Sequence, residues 1–516
     1  MEMKRMKKGI VTVGLILIVL TSFYFGSTPL ASAEPKSVMK LAIHWAMRAD
    51  FNDPSLGGVF SLFNLYLFHD SLLKPMTDGW YSPCLAESWK VSPDYRVYEF
   101  KLRKGVKFHN GDEMTAEDVV FTFERYKGGK ADFIKSRIEK LEAVNPYLFR
   151  VTFKKPFVDF LDFFLPGEAT IGFIVPKKYI EKVGDEAYRK HPIGCGPYKF
   201  VEFKPGIILV GEAFKDFWRK EPNIKRLEFH IITEASTRYA MVKKGEVDFA
   251  SLMADVLYEK VKSDPSLRAA APLSPNKFII PIAAQWDPKS PWSDPRVRKA
   301  ASLALDRKSL VEVHAPGGAP IGNLGLEGDA DNVPFPPDPY DPEQAKKLMA
   351  EAGYAKGFQG GKFYPLDGYW AMGEQIVNYW KAIGINMETV LYDRPTWSSK
   401  LRGGGFKGGL WIDPINPTTM GYRLAYLFGY GDLYGKYDDI QVLWNKYQES
   451  YDPKERKTLI TRVQNMYHDR TMFIPLVAVS SPSAIGPRPK GSLWRIKPHL
   501  MWWVSPMEEL ELNSYD

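Results

Sequence analysis

The chain has 516 residues, 45% hydrophobic, 25% charged and 14% aromatic, which is a globular composition long enough for several domains and excludes a mostly disordered chain. Its formal charge of +8 comes from bases interleaved with acids, which excludes a nucleic-acid footprint. Two cysteines, Cys84 and Cys195, are too few for a disulfide scaffold, and sequence leaves open whether they pair or remain buried thiols.

The N-terminus reads as a targeting segment. "MEMKRMKK" is a basic head, "GIVTVGLILIVLTSFYF" an apolar stretch of signal-peptide length, and Ala31-Ser32-Ala33 an A-x-A cleavage site. The expectation is a signal peptide over 1–33, cleavage after Ala33 and export to the periplasm. The alternative is a retained anchor. No cysteine stands at the cleavage site to carry a lipid, and no later stretch offers about 20 consecutive apolar residues.

"VMKLAIHW" then predicts a strand, while residues 60–74 mix helical and strand character. "YRVYEFKLRKGVKF" alternates, with Tyr98, Phe100 and Leu102 on one side. "HNGDEMTAEDVVFTFER" places an Asn110-Gly111 turn before a helix whose entry, Thr115 to Asp118, resembles a capping box. "YLFRVTFKKPF" is a strand, "GPYKFVEFKPGIILVGEAF" a hairpin turning at "KPG", and "LEFHIIT" a further strand. "EASTRYAMVKKGEVDFA" is a helix ending near Gly245 with a short strand behind it. "DPRVRKAASLALDRKSLVEVH" reads as one helical stretch, and "PYDPEQAKKLMAEAGY" as a helix ending at Gly353. "GEQIVNYWKAIGINMETVLY" is a helix capped by Gly384 and followed by a strand. "DRPTWSSKLRGGGFKGGLWIDPINPTTMGYRLAYLFGYGDLYG" shows no obvious helix and reads as an aromatic, glycine-rich functional loop. "DDIQVLWNKYQES" and "DPKERKTLITRVQNMYHDR" are two more helices. Strands and helices mix throughout, without repeats, so two large α/β lobes fit best.

Catalytic patterns do not emerge. There is no H-E-x-x-H, C-x-x-C, Walker A or G-x-S-x-G stretch. Paired acids such as Asp438-Asp439 are adjacent in the chain and point apart. The acids and His109 of the "HNGDEMTAED" segment are read as architecture. The chain is therefore not expected to be an enzyme, and no cofactor or metal is indicated. His44 and His69 are the histidines to test as metal ligands, although neither lies in a cluster.

"CLAESWKVSPDYRVYEFKLRKGVKFHNGDEMTAEDVVFTFER" closely resembles the signature of the extracellular solute-binding proteins of the peptide/nickel type, family 5. In order along the chain, "HPIGCGPYKFVEFKPG", "EASTRYAMVKKGEVDFA", "PWSDPRVRKAASLALDRKSLV" and "YDPEQAKKLMAEAGYAKGF" resemble further family motifs, with Cys195 in place of the usual Thr. The resemblance covers nearly all of 38–505. It implies a two-lobe periplasmic binding protein fold of type II, with an extra subdomain in lobe I and the ligand cleft between lobes. Lobe I is expected over 34–275, including an extra subdomain at 60–190. Lobe II is expected over 276–479, and the segment 480–516 returns to lobe I. The implied role is the substrate-binding component of an ABC importer, a monomer that closes on a small peptide or peptide-like solute and delivers it to the inner-membrane permease. Alternatives are an oligosaccharide or other polar solute, a secreted hydrolase, or a chaperone-like or signalling receptor on the same fold.

A cleft of this kind needs aromatic walls and a few groups that fix orientation. Peptide-binding members carry a Trp followed three residues later by the Asp that holds the peptide ammonium. Here Trp411 is followed by Asp413, one residue too close, and Asn416 stands where the family has a later acid. Asp413 is the expected ammonium anchor. Arg48 is a carboxylate clamp candidate, with Arg394 and Trp397 as similar candidates. Trp45, Gln285, Trp286 and Tyr430 complete the expected ligand-binding set.

Overall fold

The computed structural model describes residues 37–513, apart from 45–51, 57–61, 77–78, 129–130, 166–169, 254–255, 272, 326–328, 416–417, 429–436, 492 and 494–505. The proposed signal peptide lies outside the described residues.

The first strand, Val38–Ile43, forms because Met39, Leu41 and Ile43 alternate into a core. It runs parallel to Arg226–Ile231 on one side and to Phe249–Ala250 on the other. Around these the seven-stranded sheet has the spatial order Arg268–Ala270, Ser483–Ile485, Phe249–Ala250, Val38–Ile43, Arg226–Ile231, Ile208–Ala213, Tyr198–Lys204. The last two strands are the expected hairpin, with Gly206 at φ +71° in its turn.

A separate antiparallel sheet has the order Ala86–Val91, Val97–Leu102, Leu148–Phe153, Ile138–Asn145. Tyr98, Phe100 and Leu102 are all buried, and Phe100, Phe149, Phe153 and Phe160 share the core beneath. The helix Ala116–Arg125 covers this core through Val119 and Phe123. Its entry is the expected capping box: the Thr115 backbone N–H donates to Asp118 Oδ2 at 2.9 Å. Asp118 Oδ1 accepts the Lys177 N–H at 2.9 Å, so the same carboxylate joins two helices. The preceding segment supplies a turn with Gly111 at φ +93°, and buried Val106 and Phe108.

Strands Leu73–Met76 and Gly79–Pro83 pair antiparallel as a two-stranded ribbon, and the remaining strands make two linked sheets. One has the order Ala319–Pro320, Phe473–Ser480, Leu273–Pro281, Asp413–Ile415. The other is wholly parallel, with the order Ile385–Thr389, Phe358–Tyr364, Leu410–Trp411. A bridge from Ile282 to Leu410 connects them. Helices Pro295–Leu303, Pro342–Glu351, Trp370–Ala382, Asp438–Glu449 and Pro453–Asp469 cover this region.

Two local expectations are corrected. The stretch 295–314 is two helices, Pro295–Leu303 and Arg307–His314, because Asp306 leaves the helix to accept the Ser309 N–H at 3.1 Å as an N-cap. The segment from Asp393 onward is not a loop. It contains helix Arg394–Arg402, strands Leu410–Trp411 and Asp413–Ile415, and helix Met420–Phe428. Its aromatics fill a core: Tyr364 stacks on Phe406 at 4.2 Å, and Trp397 meets Phe406 at 5.4 Å.

Candidate functional site

In open α/β sheets, ligands bind beyond the carboxyl ends of parallel strands. The parallel sheet here carries charged groups at those ends. After Tyr364 comes Asp367, whose Oδ2 accepts the backbone N–H of Arg394 at 2.8 Å. After Thr389 come Asp393, which caps helix Arg394–Arg402 by accepting the Thr396 N–H at 3.0 Å, and Arg394 itself. After Trp411 comes Asp413, only 3% exposed and registered against Ile279. Burial pulls the Arg394 guanidinium below its ordinary range, and the charges of Tyr369, Asp367 and Asp413 oppose that shift. Asp413 and Asp367 therefore lie within electrostatic reach of Arg394.

The seven-stranded sheet makes a second such rim. Val38–Ile43 ends at His44, and Phe249–Ala250 ends at Ser251. The His44 N–H donates to Ser251 Oγ at 3.1 Å, and His44 Nδ1 lies 3.0 Å from the same oxygen. Arg238, from helix Ala235–Lys243, donates to the carbonyls of Ile232, Thr233, Ser251 and Leu252 at 2.7 to 2.9 Å. One guanidinium therefore ties together the chain beyond two strands. The clamp also holds Leu252 at φ +50°, a left-handed conformation that costs a non-glycine residue about 1 kcal/mol or more.

The His44 imidazole is held down to about 3, first by burial and then by the positive charges of Arg238 and Arg394. It is neutral at neutral pH. The effect of Arg394 on His44 brings the carboxyl ends of the two parallel strand sets into one electrostatic neighbourhood. There, Arg394, Asp413, Asp367, Tyr369, His44 and Ser251 offer cationic, anionic and hydroxyl groups.

The other expected site residues fall elsewhere. Trp411 is fully buried, its ring 5.9 Å from Phe406, and Trp397 is 2% exposed with its Nε1–H donated to the Tyr364 carbonyl at 3.3 Å. Both are core residues next to the rim. Gln285 donates to the Ile282 and Met472 carbonyls at 2.8 and 3.2 Å and accepts the Tyr437 hydroxyl at 3.1 Å, so its amide is engaged within the protein. Trp286 packs on Tyr437 at 4.5 Å. Trp45, Arg48, Asn416 and Tyr430 lie outside the described residues. His69 is buried between the Asn52 carbonyl at 3.4 Å and the Tyr188 hydroxyl at 3.5 Å, remote in sequence and contacts from His44. Among the described residues, no group of three or more His, Cys, Asp or Glu side chains is arranged to hold a metal ion. Both cysteines are buried thiols, and Cys84 Sγ donates to Asp70 Oδ1 at 2.9 Å.

Sequence reasoning missed Asp367, Tyr369, Ser251 and Arg238. The first two had a signal: Asp367-Gly368, with Gly368 at φ +86°, is a turn closing a parallel strand. Ser251 and Arg238 had none, because their roles depend on which strands become neighbours.

Such a pair of strand-end rims suits the capture of a polar solute. The bacterial extracellular solute-binding proteins, family 5, match residues 81–431, and the chain belongs to that family. Its members are solute-binding transport proteins rather than enzymes. The chain is 27% identical to Heme-binding protein A of Haemophilus influenzae over 79% of this chain and 81% of that protein. It is 28% identical to the Dipeptide-binding protein of Escherichia coli over 75% of this chain and 79% of that one. The solved structure of the periplasmic binding protein DppA from Helicobacter pylori, in complex with the peptide STSA, superposes with a TM-score of 0.77. That match has 22% identity and covers 93% of this chain and 99% of the other. The fold is that of the periplasmic binding proteins. Among the described residues, no helix is long and apolar enough to cross a membrane.

Proposed function

We propose that this protein is the periplasmic substrate-binding component of an ABC importer and that its solute is a short peptide or peptide-like zwitterion. The carrying observation is the placement of a buried acid, Asp413, within electrostatic reach of Arg394 beyond the carboxyl ends of one parallel sheet, and the reach of Arg394 to His44 on the other. A peptide backbone presents the complementary set: an ammonium for Asp413, a carboxylate for Arg394, and amides for hydroxyl and carbonyl groups between them. Relatives named for dipeptides support this reading, and the one named for heme keeps the solute class wider than peptides.

In this reading lobe I takes 34–275, with 60–190 as its subdomain, and lobe II takes 276–479. The return of Ser483–Ile485 to the sheet of Val38–Ile43 supports assigning 480–516 to lobe I. The chain is exported by residues 1–33, works as a monomer and hands its solute to a permease. The oligosaccharide alternative loses two stacking platforms, because Trp411 and Trp397 are buried. Native mass spectrometry on protein recovered from its own cells tests the proposal. Short peptides released on denaturation would support it, and a sugar or a tetrapyrrole would replace it.

A further inference from the structure

The turn Val158–Phe164 places two acids against distant parts of the chain. Asp162, 7% exposed, accepts hydrogen bonds from the hydroxyls of Tyr81 and Thr419. Asp159 accepts from the Arg456 guanidinium, and from the Tyr447 hydroxyl at 3.1 Å. Beside them, Asp329 accepts the N–H of Met420, the first residue of helix Met420–Phe428, and the N–H of Asp331. Phe163 meets Tyr422 edge-on at 5.0 Å. The seating is close: a Cβ on Gly421 would fall 2.7 Å from the Tyr447 hydroxyl and 3.0 Å from the Asp159 carboxyl carbon.

Asp159 and Asp162 are three residues apart on a 3-10 turn, a spacing that stacks side chains on one face. Among the described residues one guanidinium, that of Arg456, is bonded to this pair, and it is bonded to Asp159. Two neighbouring buried carboxylates with one counter-charge are not both ionised cheaply.

We propose that Asp162 is a positioning residue for solute capture, a proton-carrying latch that fastens the turn Val158–Phe164 to Thr419 at the start of helix Met420–Phe428, beyond Asp413 in the chain. Opening of the lobes breaks the latch and releases its proton to solvent. This rests on the solute-capture reading above.

The electrostatics agree in direction. Burial, then the charge of Asp159, lifts the Asp162 carboxyl to about 8, with Asp329 adding to the rise, and these outweigh the hydrogen bonds from Thr419 and Tyr81, which favour the ionised form. Burial raises Asp159 as well, against the pull of Arg456. Tyr81 and Tyr447 are pushed far above their ordinary range, first by burial, and stay as neutral hydroxyls. The groups facing Asp162 are Tyr81 from strand Gly79–Pro83, Tyr98 from strand Val97–Leu102, Asp159 from its own turn, Asp329 ahead of Met420, Thr419, Tyr447 from helix Asp438–Glu449, and Arg456 from helix Pro453–Asp469. Once exposed, Asp162 returns to its ordinary 3.8. The latched form therefore holds a proton that the open form lacks between these values, and the latch weakens as pH rises through that window.

Amide hydrogen exchange of Met420–Phe428 in the full mature protein, without ligand, reads the latch directly. Its protection factor should fall about tenfold or more between about pH 6 and 9 in wild type. It should stay flat in Asp162→Asn, which keeps a neutral acceptor at every pH. Equal slopes in the two proteins would overturn the proposal. Should Asp162→Asn fail to fold, Thr419→Val removes the cross-contact instead. It should show low protection at both pH values, and wild-type protection in it would overturn the latch. Calorimetry with Ala-Phe separates the two readings. No heat with an Asp162-dependent exchange slope rejects the peptide and keeps the latch, whereas normal binding with equal slopes rejects the latch and keeps the peptide.

Discussion

Asp413 and Arg394 are each a charged side chain drawn out of water near a strand end, and in the proposed site they would face a ligand's ammonium and carboxylate. Substituting Asp413→Asn should weaken binding of a free-amino peptide by about 1.5–3 kcal/mol, the usual worth of a hydrogen bond to a charged group. Isothermal calorimetry checks this, and an unchanged Kd would remove Asp413 from the site. Histidines wholly or partly withdrawn from solvent give a second prediction. Burial holds His44 and His109 down to about 3 and His69 to about 4, against an ordinary 6.5. The unfolded chain takes up protons below 6.5 that the folded chain refuses, so stability is lost as pH falls from there towards 4. Tm should drop across that range, and His109→Gln should make the drop shallower. At this scale the sequence singled out Arg394 because it follows a strand-like run and Asp413 because it follows Trp411 in a motif that resembles the family's. It misplaced Trp411 and Trp397, since an aromatic beside glycines looks the same in one dimension whether it lines a cleft or fills a core. Asp162 was invisible, because Tyr81 and Thr419 reach it only through the fold.

Elements were legible where caps and glycines mark their ends. Helices Ala116–Arg125 and Pro342–Glu351 begin at Thr115 and Asp341, and Gly353 and Gly384 take φ of +89° and +91° just past helix ends. Thr115→Ala should cost about 1 kcal/mol of stability while leaving solute affinity intact, measured by urea unfolding and calorimetry. Lost affinity at full stability would contradict the scaffold reading of that segment. The merged helix over 295–314 shows the limit: Asp306 can sit within a helical pattern or cap a new helix, and only its bond to the Ser309 N–H decides. Helix Arg394–Arg402 was hidden by the glycine run behind it. Its start was still written in Asp393-Arg394-Pro395, a capping acid with proline at the second helical position.

Across the whole molecule, short motifs report close approach. In "GCGPY", a Cβ on Gly194 would lie 2.1 Å from the Phe68 carbonyl, and one on Gly196 would lie 2.6 Å from the His69 nitrogen, so this segment threads against the chain of 67–69. Motifs of this kind carried the family and the α/β class. They could not carry the solute, because in the proposed site ligand choice rests on a few groups brought together from Asp367, Arg394, Asp413, His44 and Ser251. Sheet topology, which sets those neighbours, is not a local property of sequence. The central claim is that a zwitterion is held at both ends between these strand-end rims. Calorimetry on ligand-stripped protein, comparing Ala-Phe with its N-acetylated form, tests it most directly. The account predicts that the free dipeptide binds at least about tenfold tighter, a gap of about 1.4 kcal/mol that closes in Asp413→Asn. Equal affinity for the two forms, or no binding of either, would contradict it.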